Sequence, residues 1–93
     1  MNDCKNVWSR IVLNSGIIEL RTKRNFRLQY KVEGNKVMWI GLEMSMNNLF
    51  PQSKENICAC LESRRTELNP SEYPGTATSY KWALLNHPEI WKE

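Results

Sequence analysis

The amino-acid sequence predicts a small α+β protein: an N-terminal helix, a three-stranded antiparallel meander and two C-terminal helices (α-β-β-β-α-α) in one compact domain, residues 1–93. Strands are indicated by apolar residues that alternate with polar ones between positions 17 and 40. Helices are indicated by apolar residues three and four positions apart on both sides of that region. With 41% hydrophobic residues in 93, the chain is long enough to form a single core.

The first predicted element is a helix that begins after Asp3, whose carboxylate is a suitable N-cap. Gly16 ends this segment, because glycine readily adopts the left-handed conformation that follows the last turn of a helix. Between them, four apolar residues recur at the helical spacing and are expected to face the core: Val7, Trp8, Ile11 and Val12.

Three strands are predicted next, at residues 17–22, 26–32 and 36–40. Gly34 and its neighbours form the tight turn between the second and third strands, since glycine and asparagine accept the positive φ of a hairpin turn. The second strand has the clearest alternation, and four of its residues are expected to point inward: Phe26, Leu28, Tyr30 and Val32. Consecutive strands joined this way form an antiparallel meander.

The C-terminal half is predicted to be helical around two loops. Residues 41–52 are interpreted as the end of a strand or a loop that packs against the sheet. Ser53 is then a suitable N-cap for a helix that continues to about Arg65. A last helix is predicted at residues 78–86, and Pro88 prevents its continuation.

The segment 21–36 carries most of the basic charge, six Lys or Arg against one Glu in a chain of net charge +3. Because side chains alternate between the two faces of a strand, these cations are expected to form one basic face of the sheet. This face is expected to bind nucleic acid through phosphate contacts. Gln and Arg side chains also recognise base edges in the major groove, which favours DNA over RNA. The predicted nucleic-acid-binding residues are Arg21, Lys23, Arg24, Arg27, Gln29, Lys31 and Lys36. Alternatively, the face is polar only because it is solvated.

A second candidate site lies at the start of the last predicted helix, residues 76–82. Hydroxyl groups and unpaired backbone N–H groups at a helix start suit a phosphate, and an aromatic ring there can stack on a base. The secondary candidates are Ser79, Tyr80 and Lys81. Alternatively, the hydroxyls cap the helix and the aromatic residues belong to the core.

The sequence shows no signature of an enzyme, a metal site or a bound cofactor, and none is expected. The single histidine, His87, precedes a proline and has no nucleophile near it in sequence. Cys58 and Cys60 point in opposite directions on a helix and cannot easily share a zinc ion. Because no export signal or membrane-spanning segment is apparent, the three cysteines are interpreted as reduced thiols and the protein as cytoplasmic.

The alternative function is a protein-interaction module, such as an inhibitor, adaptor or subunit, and a homodimer is one such possibility. Four tryptophans and four methionines are many for one small core. An exposed apolar patch of the kind that marks interfaces is therefore predicted from Trp39, Met44, Met46 and Trp91.

Overall fold

A computed structural model describes residues 1–42 and 51–92 of the chain. The first half contains helix α1 and three strands: α1 Cys4–Leu13, β1 Leu20–Arg21, β2 Arg27–Glu33 and β3 Lys36–Gly41. The second half contains a short strand, three α-helices and a 3-10 turn: β4 Gln52–Ser53, α2 Lys54–Cys58, α3 Leu61–Arg65, the turn Pro70–Glu72 and α4 Thr78–Leu85. The predicted α+β class, the N-terminal helix and the C-terminal helices are confirmed.

The sheet is antiparallel throughout and has the strand order β1-β2-β3-β4, so the meander has one strand more than expected. In β4, Gln52 pairs with Val37 and Ser53 pairs with Lys36. A strand of two residues is too short to show an alternating pattern, which explains why the sequence did not reveal it. The rest of the predicted 41–52 segment, residues 43–50, lies outside the described residues.

The single helix predicted after Ser53 is wrong in its continuity. Ser53 is the N-cap, because its hydroxyl oxygen accepts a 3.1 Å hydrogen bond from the Asn56 N–H. The helix nevertheless divides into α2 and α3, where the Cys60 N–H bonds the Ile57 carbonyl three residues back at 3.0 Å. This tightened turn buries Ile57, Cys60 and Leu61 together. Neither glycine nor proline lies at the break, so no sequence signal marks it.

The core lies between one face of the sheet and the helices. Tyr30 of β2 is fully buried in this core, and its hydroxyl donates a 2.7 Å hydrogen bond to the Ile11 carbonyl of α1. On α1 the Asp3 cap is confirmed by a 2.8 Å bond from the Asn6 N–H, but Val12 is exposed rather than buried. Neighbouring positions such as 11 and 12 point about 100° apart around a helix. The side of α1 that faces the core therefore includes Ile11 but not Val12.

Two further expectations about apolar residues fail. Phe26 precedes β2 in the loop 22–26, so the alternation does not extend to it and 40% of its surface is exposed. Trp39 and Trp91 are buried in the core, so they do not form the predicted exposed patch. The other members of that patch, Met44 and Met46, lie outside the described residues.

The prediction of three reduced thiols is also wrong. Cys4 of α1 and Cys58 of α2 form a disulfide, and Cys60 is a free, buried thiol. Pairing across 54 residues of sequence cannot be read from the sequence alone. Closing a loop of that length stabilises the fold by about 4 kcal/mol in the chain-entropy model. In the ranges 1–42 and 51–92, no helix has the length and apolar character needed to cross a membrane.

Candidate functional site

One face of the sheet points away from the helices and carries four of the six predicted cations. Strand alternation directs one set of side chains to this side, and the pairing register places them in neighbouring rows: Arg21 beside Arg27, Gln29 beside Ile40, Lys31 beside Met38, and Glu33 beside Lys36. We call the surface formed by these eight residues the outward face. Four of them are cations, Arg21, Arg27, Lys31 and Lys36.

A single carboxylate engages two cations of the outward face. Glu19 lies 3.5 Å from a guanidinium nitrogen of Arg21 and 3.7 Å from one of Arg27. Arg21 also donates a 2.8 Å hydrogen bond to the Asn25 side chain. Exposed ion pairs of this kind contribute only about 0–1 kcal/mol to stability. They do, however, place a negative charge where a phosphate would have to approach both arginines.

The other two predicted cations, Lys23 and Arg24, lie in the loop 22–26 and not on the sheet. This loop forms one wall of an open cleft of about 740 Å³, and the 3-10 turn and the start of α4 form the opposite wall. We call it the α4 cleft. It is lined by Thr22, Lys23, Arg24, Phe26, Asn69, Pro70, Ser71, Ala77, Thr78, Ser79 and Tyr80.

The described lining of the α4 cleft contains two cations and no acidic residue. Lys23 crosses between the walls, donating a hydrogen bond from its ammonium to the Asn69 side-chain oxygen. Arg24 is exposed and makes no hydrogen bond or ion pair with the residues that the structure describes. The α4 cleft therefore has the charge that suits an anion, without the paired carboxylate found on the outward face.

Aromatic side chains contribute to both walls of the α4 cleft. Phe26 is held at its rim by the loop, in which Asn25 adopts a left-handed φ of 70° and the Phe26 N–H bonds the Thr22 hydroxyl at 3.1 Å. On the other wall Tyr80 is half-buried, and its ring packs against Trp39 with a centroid separation of 5.8 Å. A backed ring of this kind keeps its orientation, because Trp39 is part of the core.

The start of α4 differs from the expected Ser/Thr cap. Its N-cap position is occupied by Ala77, which has a φ of 52° and no side chain able to accept a hydrogen bond. Thr78 and Ser79 are consequently the first helical residues, and Ser79 is exposed to the α4 cleft. The explanation of these hydroxyls as helix caps therefore does not apply, and the binding role of this helix start stays a prediction.

The prediction of Lys81 as a binding residue is wrong, since only 1% of its surface is exposed and it cannot contact a macromolecule. Its ammonium donates a 2.6 Å hydrogen bond to the Pro74 carbonyl. Burial raises the pKa of the neighbouring Cys60 thiol, and the positive charge of Lys81 acts in the opposite direction. Most residues of α4 from position 81 onward are buried, and the Lys81 side chain points inward. Its hydrogen bond to Pro74 connects α4 to the loop that precedes it.

A smaller cleft of about 220 Å³ adjoins the first and shares Lys23 and Asn69 with it. It contains the acidic Glu67 and is lined by Tyr73, whose phenol pKa is raised by burial. Arg64 also lines it, yet that guanidinium lies 4.8 Å from the Trp91 ring and donates to the Leu85 carbonyl at 3.1 Å. The smaller cleft is therefore less suited to an anion than the α4 cleft.

His87 is part of the C-terminal turn. Its Nδ1 accepts a 3.0 Å hydrogen bond from the Glu89 N–H, and burial lowers the pKa of the imidazole. Among residues 1–42 and 51–92, no group of three His, Cys, Asp or Glu side chains is arranged to hold a metal ion.

The sequence singled out both walls of the α4 cleft but not the cleft itself. Arg24 belonged to the basic segment and Ser79 to the helix start, and nothing in the sequence indicates that positions 55 residues apart share one surface. Phe26 was missed because it continued an apolar alternation. Comparison of the chain with protein-family models, with curated proteins and with solved structures yields no match.

Proposed function

We propose that this chain is a small non-catalytic nucleic-acid-binding domain, with DNA favoured over RNA, whose contact surface runs from the outward face into the α4 cleft. The observation that supports it best is the cluster of cations around one end of the sheet. Lys23 and Arg24 continue the basic surface of Arg21 and Arg27 into a cleft whose described lining has no carboxylate. Lys and Arg side chains clustered in this way bind the phosphate groups of a nucleic acid whatever its base sequence.

Binding measured over a salt series tests the proposal. We expect the affinity for a short fluorescent duplex to fall as salt rises, with a log–log slope of about −0.9 for each phosphate contacted. Arg21→Glu combined with Arg27→Glu should abolish duplex binding without lowering Tm, since both side chains are solvent-exposed to a large degree. Lys5→Glu combined with Arg65→Glu, at exposed positions of α1 and α3, is the control for the same change in net charge. An unchanged affinity of the double variant would rule out the outward face.

The predicted cytoplasmic location is part of the proposal, and the Cys4–Cys58 disulfide provides its test, because reducing compartments keep most cysteines as thiols. Free thiols are trapped by alkylation at the moment of cell lysis and counted after unfolding. Three alkylated cysteines per chain mean that the Cys4–Cys58 bond is not formed in the cell and support the cytoplasmic location. One alkylated cysteine, at position 60, indicates an oxidising compartment instead.

A protein-interaction module is the second candidate, and one observation favours it. The end of α1 and the turn after it expose two large aliphatic side chains, Leu13 at 75% and Ile17 at 71%, with Val12 beside them. Apolar side chains exposed to this extent within one short segment are candidates for a protein interface. Sedimentation at several protein concentrations tests for a homodimer. Leu13→Asp should shift any dimer to monomer, whereas a monomer at all concentrations contradicts self-association.

A further inference from the structure

The α4 cleft differs in shape from the outward face, and the shape restricts what it can hold. The outward face is a sheet surface, which contacts the backbone and base edges of a paired helix. The α4 cleft is concave, and its volume of about 740 Å³ lies within the range of about 300 to 1,000 Å³ typical of small-ligand sites. A paired and stacked base presents only its edges, so a concave site is filled better by a base that has left the stack.

The polar groups of the α4 cleft suit a phosphate on one side. Lys23 and Arg24 come from the loop 22–26, and the hydroxyls of Ser71, Thr78 and Ser79 come from the opposite wall. Arg24 has no partner to give up among the described residues, and Lys23 makes only the Asn69 bond there. Charge-assisted hydrogen bonds from such groups to phosphate oxygens are shorter and stronger than bonds between neutral groups.

The aromatic groups suit a base. Phe26 exposes 40% of its surface at the rim, two residues from Arg24, and is the only aromatic side chain of the loop 22–26. Tyr80 forms part of the other wall and is backed by Trp39. Stacking on rings accepts any base, because every base has a π face. The cations and the rings together match a phosphorylated nucleoside, which neither set matches alone.

We infer that the α4 cleft holds one unpaired nucleotide of a single strand, with its phosphate against Lys23 and Arg24 and its base against Phe26. The inference rests on the proposed nucleic-acid binding and makes it more specific. It makes the protein a reader of single-stranded or locally opened nucleic acid. The outward face then supports the flanking backbone.

Four probes separate the sources of this chemistry: inorganic phosphate, thymidine monophosphate, an oligothymidylate strand, and a duplex of the same length. We expect the strand to bind at least about tenfold more tightly than the duplex, because only an unpaired base can stack. Thymidine monophosphate should bind more weakly than the strand and shift the NMR signals of the loop 22–26 and of α4. If monophosphate binds but the strand does not, the site takes free nucleotides and the inference fails. If phosphate binds as tightly as thymidine monophosphate, the base makes no contact and the inference also fails.

Paired variants test the roles of the ring and the charge. Phe26→Leu keeps an apolar side chain but removes the π face, and should weaken strand binding by about tenfold while leaving the duplex unaffected. Phe26→Tyr keeps the ring and should keep the affinity. Arg24→Gln should weaken strand binding by about threefold to tenfold and reduce the salt dependence by about one phosphate contact, whereas Lys5→Gln should do neither. Circular dichroism and Tm confirm that each variant is folded.

The outcomes distinguish this inference from the broader proposal. If strand and duplex bind equally and Phe26→Leu changes nothing, the α4 cleft is not a base site, but nucleic-acid binding by the outward face survives. If neither strand nor duplex binds in low salt, the proposed function and this inference are both wrong.

Discussion

The outward face and the α4 cleft both carry arginine and lysine, but they differ in what those cations already contact. On the outward face Arg21 and Arg27 share the Glu19 carboxylate at 3.5 and 3.7 Å. The described lining of the α4 cleft includes no carboxylate, and the nearest acidic groups lie outside it: Glu67 lines the adjoining smaller cleft together with Lys23, and Glu72 accepts a hydrogen bond from the Asn69 side chain. Counting charges along the sequence treats these surfaces as one basic segment. The structure shows that the number of cations is a poor measure of the positive potential that remains for a ligand.

Removing the disulfide should have the largest effect and should not distinguish the two surfaces. Cys4→Ser with Cys58→Ser opens the link between α1 and α2 and should lower the free energy of unfolding by about 4 kcal/mol. Urea unfolding with and without reductant measures it. The wild type with reductant should match the double variant. If that variant lost strand binding but kept duplex binding while folded, the disulfide would act on the α4 cleft specifically, contrary to this expectation.

Charge reversal in the α4 cleft should separate the two surfaces most sharply. Lys23→Glu with Arg24→Glu should weaken single-strand binding by about 100-fold, about 2.7 kcal/mol, because two phosphate-binding cations become repulsive. The same change at Arg21 and Arg27 should weaken strand binding by only about tenfold, since Glu19 already offsets those charges. Fluorescence anisotropy at one salt concentration compares them. Equal losses from the two double variants would show that the two surfaces do not differ in the charge they offer to a strand.

High pH should lower the free energy of unfolding through a buried tyrosine of the sheet, Tyr30. Burial raises the pKa of the Tyr30 phenol well above its ordinary value of 10.0. The unfolded chain therefore loses this proton near pH 10 while the folded chain keeps it, so the free energy of unfolding should fall above pH 10 by up to about 1.4 kcal/mol per pH unit. Tyr30→Phe should reduce this slope, leaving the part that comes from Tyr73 and Cys60, whose pKa values burial also raises. It should cost about 1 kcal/mol at neutral pH through the lost bond to Ile11. Urea unfolding between pH 8 and 11 tests both, and an identical slope in the variant would exclude Tyr30 as the cause.

The smallest expected effect is a gain on the outward face. Glu19→Gln removes the carboxylate that engages Arg21 and Arg27 and should raise duplex affinity by about twofold to fivefold, with a change in stability below about 1 kcal/mol. Single-strand affinity should change less, because Lys23 and Arg24 make no ion pair with Glu19. Glu62→Gln on α3 is the matched control, since it also removes one carboxylate from an exposed ion pair. If Glu19→Gln raised the affinity for the single strand more than the affinity for the duplex, Glu19 would act mainly on the α4 cleft, contrary to this prediction.

The sequence predicted the elements whose signals are local. Residues 27–33 alternate strictly between polar and apolar side chains, and Gly34 marks the turn before β3. The helix predicted at 78–86 is observed at Thr78–Leu85, because the pattern and the stopping residues lie within a few positions of each other. What the sequence could not predict depends on distant contacts. The Cys4–Cys58 pair and the inward course of Lys81 are determined by packing between segments far apart in sequence.

The candidate site also combines local signals with distant contacts. The outward direction of Arg27, Gln29 and Lys31 follows from the period of a strand and could be predicted. The exposure of Phe26 could not, because alternation alone does not tell where a strand begins. The α4 cleft exists only because the loop 22–26 approaches the start of α4. No pattern in the sequence of either segment indicates this contact.

The buried ammonium of Lys81 also limits how this sequence can change. Gly75 has a φ of +86°, and a Cβ at this position would lie 2.9 Å from the Lys81 Nζ. A side chain at position 75 would therefore require both a strained backbone and displacement of the ammonium from the Pro74 carbonyl. A shorter residue at position 81 would relieve the contact but not the backbone strain at position 75. Among variants of this chain, a loss of Gly75 should be accompanied by a shorter or uncharged residue at position 81.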